Sequence, residues 1–271
     1  MPKGEDTYML NEIYGINLKE DFLGTVYSGG AVEQRTFWRN GNQQTVRAYT
    51  MTSDKVANFT VYAPTSNSVG TVEIFEPLLL KNPQLVAQAN VIGTGRDRNR
   101  FNEYYVLADG VSLPKDKAAI KEMTDSSEGR MLALKFKGGD VSAVIDVPKT
   151  FGSFLFNGYE PTYKYDEENG GMTDEVIGFE LVVISSKTKK PYKVKCDNID
   201  ADFSVLKLRD AVTFDDATYR FYQDSSSTTQ GSTISISVGN VKKGESSTNK
   251  SVTNAPTPSA ETGKPKNQVK S

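Results

Sequence analysis

The sequence predicts an all-β chain of two small antiparallel β-barrel domains, joined by a short helical linker and followed by a disordered basic tail. Three observations predict it. Short runs of β-branched and aromatic residues recur at close spacing. Gly, Asn and Pro turn signals separate them. Helical composition is confined to one stretch near the middle. The 271 residues leave room for two modest domains, and the 37% hydrophobic content supplies a core once the polar C-terminus is set aside.

Residues 1–20 are an N-terminal segment and the first domain spans 21–113. Its expected strands are Asp21–Tyr27, stopped by Ser28-Gly29-Gly30, then Arg35–Arg39 and, after the turn Asn40-Gly41-Asn42, Thr45–Met51. Asn58–Ala63, Thr71–Leu80, Gln84–Ile92 and Glu103–Ala108 complete the set, with Asn82-Pro83 ending one and the basic loop Gly93–Arg100 between the last two. Residues 114–130 read as a linker, because Lys117–Met123 has helical composition. The second β-rich domain spans 131–243, with strands expected at Met131–Phe136, Val141–Val147, Ser153–Phe156, Val176–Ser185, Tyr192–Cys196, Phe203–Leu208, Thr218–Tyr222 and Thr233–Val238. From Gly244 to Ser271 the chain is Ser, Thr, Asn, Lys and Pro, which cannot bury enough surface to offset its ordering entropy. A weak internal repeat lays Phe22–Gly29 over Phe151–Gly158, and Val46–Ser53 loosely over Ile177–Ser185. A true repeat means two copies of one barrel; chance likeness between β-rich segments is the alternative.

Composition narrows the chemistry. There is no histidine, so Ser-His-Asp and Cys-His catalysis and the usual zinc sites are excluded, and the chain is expected to be no enzyme, with no cofactor and no metal. The single cysteine, Cys196, forms no intramolecular disulfide, and the N-terminus has no apolar signal region, which together favour a cytoplasmic protein with no membrane partner. A formal net charge of -2 predicts no nucleic-acid binding by bulk charge, so any such binding needs a local patch.

Four segments in order carry a family resemblance: Phe22-Leu23-Gly24-Thr25-Val26, Arg47–Ser53, Leu80-Lys81-Asn82-Pro83-Gln84-Leu85, and Tyr105-Val106-Leu107-Ala108-Asp109. The first domain resembles the YdcP-like (HelP-type) family of conjugative elements, whose characterised members are helicase processivity factors. The resemblance implies an OB-like barrel, contact with single-stranded DNA, and support of a helicase loaded by a relaxase. It covers about Phe22 to Asp109; the second domain and the tail lie outside it.

The residues themselves offer one constellation of that kind. Arg35, Phe37 and Arg39 share one face of their strand, and Arg47, Tyr49 and Met51 share one face of the next. If those faces coincide and are exposed, the hairpin is an aromatic platform framed by guanidinium groups, which suits stacked bases and phosphates. The alternative puts Phe37 and Tyr49 in the core. Arg96, Arg98 and Arg100 add a basic loop that could close over a phosphate backbone, or stand as a solvated hairpin tip. Lys187, Lys189, Lys190, Lys193 and Lys195 form a basic stretch in the second domain, read first as lysines guarding a sheet edge. Asp166-Glu167-Glu168 and the run Asp197–Asp202 fit no calcium-loop spacing and read as solvated turns. The expected function is a single-stranded DNA-binding accessory protein of a mobile element or phage. Its rival is a structural or assembly protein, such as a virion component, that uses its β domains for protein contacts.

Overall fold

The computed structural model describes residues 8–10, 15–39, 42–92, 99–116, 129–223 and 232–244. The expected helix at Lys117–Met123 and the tail beyond Gly244 lie outside these residues. The chain is mostly β. In order, the strands are β1 (Tyr8–Leu10), β2 (Ile16–Asn17), β3 (Val26–Arg39), β4 (Asn42–Ser53), β5 (Phe59–Pro64), β6 (Pro77–Lys81), β7 (Gln84–Ile92), β8 (Asn99–Leu107) and β9 (Gly110–Ser112). After a one-turn helix, α1 (Val147–Phe151), come β10 (Phe154–Asp166), β11 (Gly171–Ser185), β12 (Pro191–Cys196), β13 (Ala211–Asp215), β14 (Thr218–Gln223), β15 (Ser232–Val238) and β16 (Asn240–Lys243). No helix among the described residues is long and apolar enough to cross a membrane.

Two curled sheets form, and they have the same plan. The first runs β2-β7-β8-β5-β4-β3-β6-β9 and the second β14-β15-β12-β11-β10-β13-β16. In each, the equivalent pair is parallel, β5 with β8 and β12 with β15, and the first sheet adds β1 in parallel beside β3. In each, two consecutive strands pair at opposite sides of the curl. β6 pairs with β3 while β7 pairs with β8, and β13 pairs with β10 while β14 pairs with β15. The break between them falls at Asn82 (φ 48°) and Asp216 (φ 51°), two side chains that tolerate the left-handed region better than most.

The identity of plan extends to single residues. One row across the first sheet reads Leu85–Val106–Val61–Tyr49–Val32. Its counterpart reads Tyr219–Ile236–Val194–Leu181–Tyr159. Thr25 N donates to Asp54 Oδ2 at 3.0 Å, and Ser153 N donates to Ser186 Oγ at 2.8 Å, at the same point of each sheet. Phe75 N bonds Ser28 O at 2.8 Å, and Arg209 N bonds Phe156 O at 2.8 Å, with both residues at positive φ. The two halves are therefore repeats of one fold. The register aligns Gly24 (φ 65°) with Gly152 (φ 69°), because Val26 and Phe154 pair equivalently with Leu78 and Val212. The expected overlay of Phe22 on Phe151 is one residue out, whereas Ser53 does fall on Ser185.

Other expectations fail for identifiable reasons. Ser28-Gly29-Gly30 does not stop a strand; β3 passes through it by a register shift between Ser28 and Val32, repeated in β10 between Phe156 and Gly158. Met131–Phe136 and Val141–Val147 are not strands. Met131 makes a single bridge to Val56, Lys137–Gly139 is a 3-10 turn, and α1 starts where Asp146 caps the Lys149 N–H at 2.9 Å, with Pro148 in the first turn. Phe203–Leu208 forms turns whose Phe203 is buried. Phe203 packs on Tyr159 and Phe179 of the second sheet, whereas residues of 131–150 serve the joint between the sheets instead of a ladder. Asn17 N donates to Thr150 Oγ1 (2.9 Å), Lys19 N to Val144 O (2.9 Å) and Ala57 N to Met131 O (2.7 Å). Tyr104 packs edge-on to Phe136 at 4.9 Å, and one apolar cluster runs through both sheets.

Candidate nucleic-acid interface

The hairpin platform expected at Arg35 to Met51 does not assemble. Residues directly opposite in an antiparallel pair share a face. Arg35 lies opposite Val46 and Phe37 opposite Gln44, whereas Arg47 lies opposite Gln34 and Tyr49 opposite Val32. The Arg35 side chain therefore points to the opposite side of the hairpin from those of Arg47 and Tyr49. Tyr49 is 1% exposed, in the core row of the first sheet, with its hydroxyl donating to Val69 O, and burial pushes its phenol above the usual range. It offers no ring face to a base. Arg47 ties down the turn after β5, donating from Nη1 to Thr65 O at 2.9 Å and to Ser68 O. Arg35 bonds Glu33 at 2.8 Å and the Tyr62 hydroxyl at 3.4 Å.

The backbone of Phe37 and Arg39 pairs with Gln44 and Asn42, and that of Arg100 with Val91; their side chains lie outside the described set. Arg96 and Arg98 lie outside the described residues altogether.

The outer face of the second sheet carries a basic depression. The basic stretch at Lys187 to Lys195 was expected at a sheet edge, but β12 is an interior strand, flanked by β11 and β15. Alternation sends Val194 and Cys196 into the core and leaves Lys193 and Lys195 on the outer face. On β14, beyond the intervening β15, Tyr219 and Phe221 face inward while Arg220 and Tyr222 face outward. Together Lys190, Lys193, Lys195, Arg220 and Tyr222 border a depression of about 840 Å³. Thr233 and Ser235 contribute hydroxyl-bearing side chains to its lining. The Tyr222 ring is 46% exposed.

Two of its cations are ion-paired, one of them with Glu180 of the same lining. Lys193 bonds Glu180, which holds its ammonium above the usual lysine range, and Arg220 Nε stands 3.8 Å from Asp140 Oδ2. Chemically, the depression offers exposed cations, hydroxyls and one accessible aromatic ring, the set that receives phosphates and a stacked base. Sequence reading already placed Lys193 and Lys195 on one face. It missed Arg220 and Tyr222, because β12 and β14 come together only through β15, which pairs with both.

No family model, curated protein or solved structure matches the chain.

Proposed function

We propose that the chain is a single-stranded DNA-binding accessory protein, of the helicase-processivity kind, acting in the cytoplasm and built on two OB-like barrels. The observation that carries the proposal is the basic depression on the outer face of β12 and β14. The strand plan supports it. Each half has an antiparallel three-strand meander, a parallel pair and strands that tie the two sides of the curl together, which the proposal reads as an OB-like plan. Such barrels take oligonucleotides on the face of their second and third strands and in the loops after the first and fourth. In the second half those strands are β11 and β12, so Lys193 and Lys195 lie on that face. In the first half those loops hold or adjoin Arg39, Arg96, Arg98 and Arg100, which the proposal assigns to phosphates. The resemblance of residues 22–109 to the YdcP-like family points the same way.

Fluorescence anisotropy of a labelled oligonucleotide across salt concentrations tests the reading. Lys193→Ala/Lys195→Ala/Arg220→Ala should weaken binding and flatten the salt dependence of log Kd by about 2, for three phosphate contacts on a single strand. Tyr222→Ala should cost about 1–3 kcal/mol and leave the slope alone, because stacking releases no counterions. Wild-type protein that binds no oligonucleotide at low salt would sink the proposal.

A further inference from the structure

The hairpin of β10 and β11 outruns its sheet. β13 reaches only Phe154 and Leu155 of β10, and β12 ends opposite Phe179, so from Thr162 to Gly178 the two strands stand, among the described residues, as a ribbon with no third strand beside them. An isolated ribbon usually keeps its surface polar. This one places Tyr163 and Tyr165 opposite Val176 and Met172, and leaves Tyr163, Tyr165 and Met172 40%, 54% and 72% exposed. Around this apolar row the charge is one-sided. Residues 162–178 hold five acidic side chains and one lysine, Lys164. Lys164 is already paired with Glu175 at 3.0 Å.

The same molecule carries the complementary surface. The depression bordered by Lys190, Lys193, Lys195 and Arg220 has the opposite charge, a volume suited to side chains, and the exposed Tyr222 ring as an apolar contact. We propose that the exposed face of this ribbon docks in the basic depression of a second copy of the chain, with its carboxylates taking the places of phosphates and its tyrosines those of bases. A ribbon cannot serve its own depression. Gly171 lies eight residues beyond Phe179 along β11, about 25 Å away at strand rise, and the strands lead away from β12. Donor and acceptor surfaces differ, so the contact is heterologous and propagates head to tail. The inference shares its acceptor face with the proposed DNA site, so oligonucleotide and neighbouring ribbon compete for it.

Sedimentation velocity of the full chain over a range of concentrations tests this. At low ionic strength the weight-average sedimentation coefficient should rise with concentration, and high salt should abolish the rise. Glu167→Lys/Glu168→Lys/Asp174→Lys should weaken self-association at least about tenfold, as should Lys193→Glu/Lys195→Glu. Mixing these two variants should restore association, because each then meets a complementary partner; a misfolded variant could not do so. Wild-type protein that stays monomeric at every concentration, or a ribbon reversal without effect, overturns the inference. Anisotropy separates it from the DNA reading. Protein that self-associates but binds no oligonucleotide leaves this inference standing and removes the other. Protein that binds oligonucleotide and stays monomeric does the reverse.

Discussion

The outer faces of the two sheets differ where their backbones agree. Lys193, Lys195, Arg220 and Ser235 stand at the places that Thr60, Tyr62, Val86 and Tyr105 hold in the first sheet, by the shared register. In the first sheet Tyr62 and Tyr105 meet edge to face at 5.1 Å, and Val86 and Tyr105 are 2% and 4% exposed. In the second, the equivalent positions open onto the basic depression. The inner rows stayed apolar in both, because each curl must be filled. The outer rows were free to diverge. The repeat thus keeps its apolar core twice and its basic outer face once.

The largest effects test the shared inner row. Tyr49 and Leu181 hold the same position in it, and both are buried. Leu181→Ala should destabilise the protein by about 2–5 kcal/mol and Tyr49→Ala by about 3–5 kcal/mol, read from urea unfolding. A Tyr49→Ala cost below about 1 kcal/mol would break the comparison, place the ring outside the core, and return Tyr49 to the list of stacking residues.

A middle-sized effect separates the halves by pH. Tyr219 occupies the place of Leu85, and burial pushes its phenol up to about 12. An unfolded tyrosine titrates near 10. Keeping this phenol neutral contributes stability that is fully present below the unfolded value and is lost as pH rises through the folded one, up to about 2–3 kcal/mol. Tyr219→Leu, which copies the first sheet, should reduce the fall in stability across that window. Tyr49 and Tyr104, also raised by burial, leave a residual slope. An unchanged slope in Tyr219→Leu would show that this phenol is not sheltered.

Much of this was legible in the sequence. Strand and turn signals locate β4, β5, β7, β8, β11, β12, β14 and β15, and the alternation in Tyr192 to Cys196 orients its lysines correctly. The repeat was visible but slipped by one residue, because FLG and FGS both offer a Phe before a Gly, and only cross-strand pairing decides which glycine matches. Tyr49 misled because an aromatic residue alternating with Arg47 looks like a surface platform. Its burial depends on β5 lying beside β4, with Val61 opposite, which local spacing does not encode. Lys193 and Lys195 looked like edge guards because the strand that covers their edge, β15, lies some forty residues downstream and pairs in parallel.

The smallest expected effect concerns the ribbon, and it sharpens the contrast between a residue held for folding and one held for contact. Tyr159, at the ribbon's base, packs against Phe203 at 5.1 Å and Phe179 at 5.9 Å. Six positions on, Tyr165 lies opposite Met172 in the free ribbon, more than half exposed. Burial of apolar area stabilises in proportion to the surface removed from water, and the ribbon removes little. Tyr165→Ser should therefore shift stability by no more than about 0.5 kcal/mol, the range of surface substitutions away from structural features. Tyr159→Ser should cost several times more, because it exposes Phe203 and Phe179. Urea midpoints of the two variants, measured side by side, decide the matter. A Tyr165→Ser loss comparable to that of Tyr159→Ser would mean that the ribbon packs against the body of its own chain, and its tyrosines would then need no partner. A negligible loss would leave an aromatic row that contributes nothing to the fold, as the proposed docking on a second copy requires.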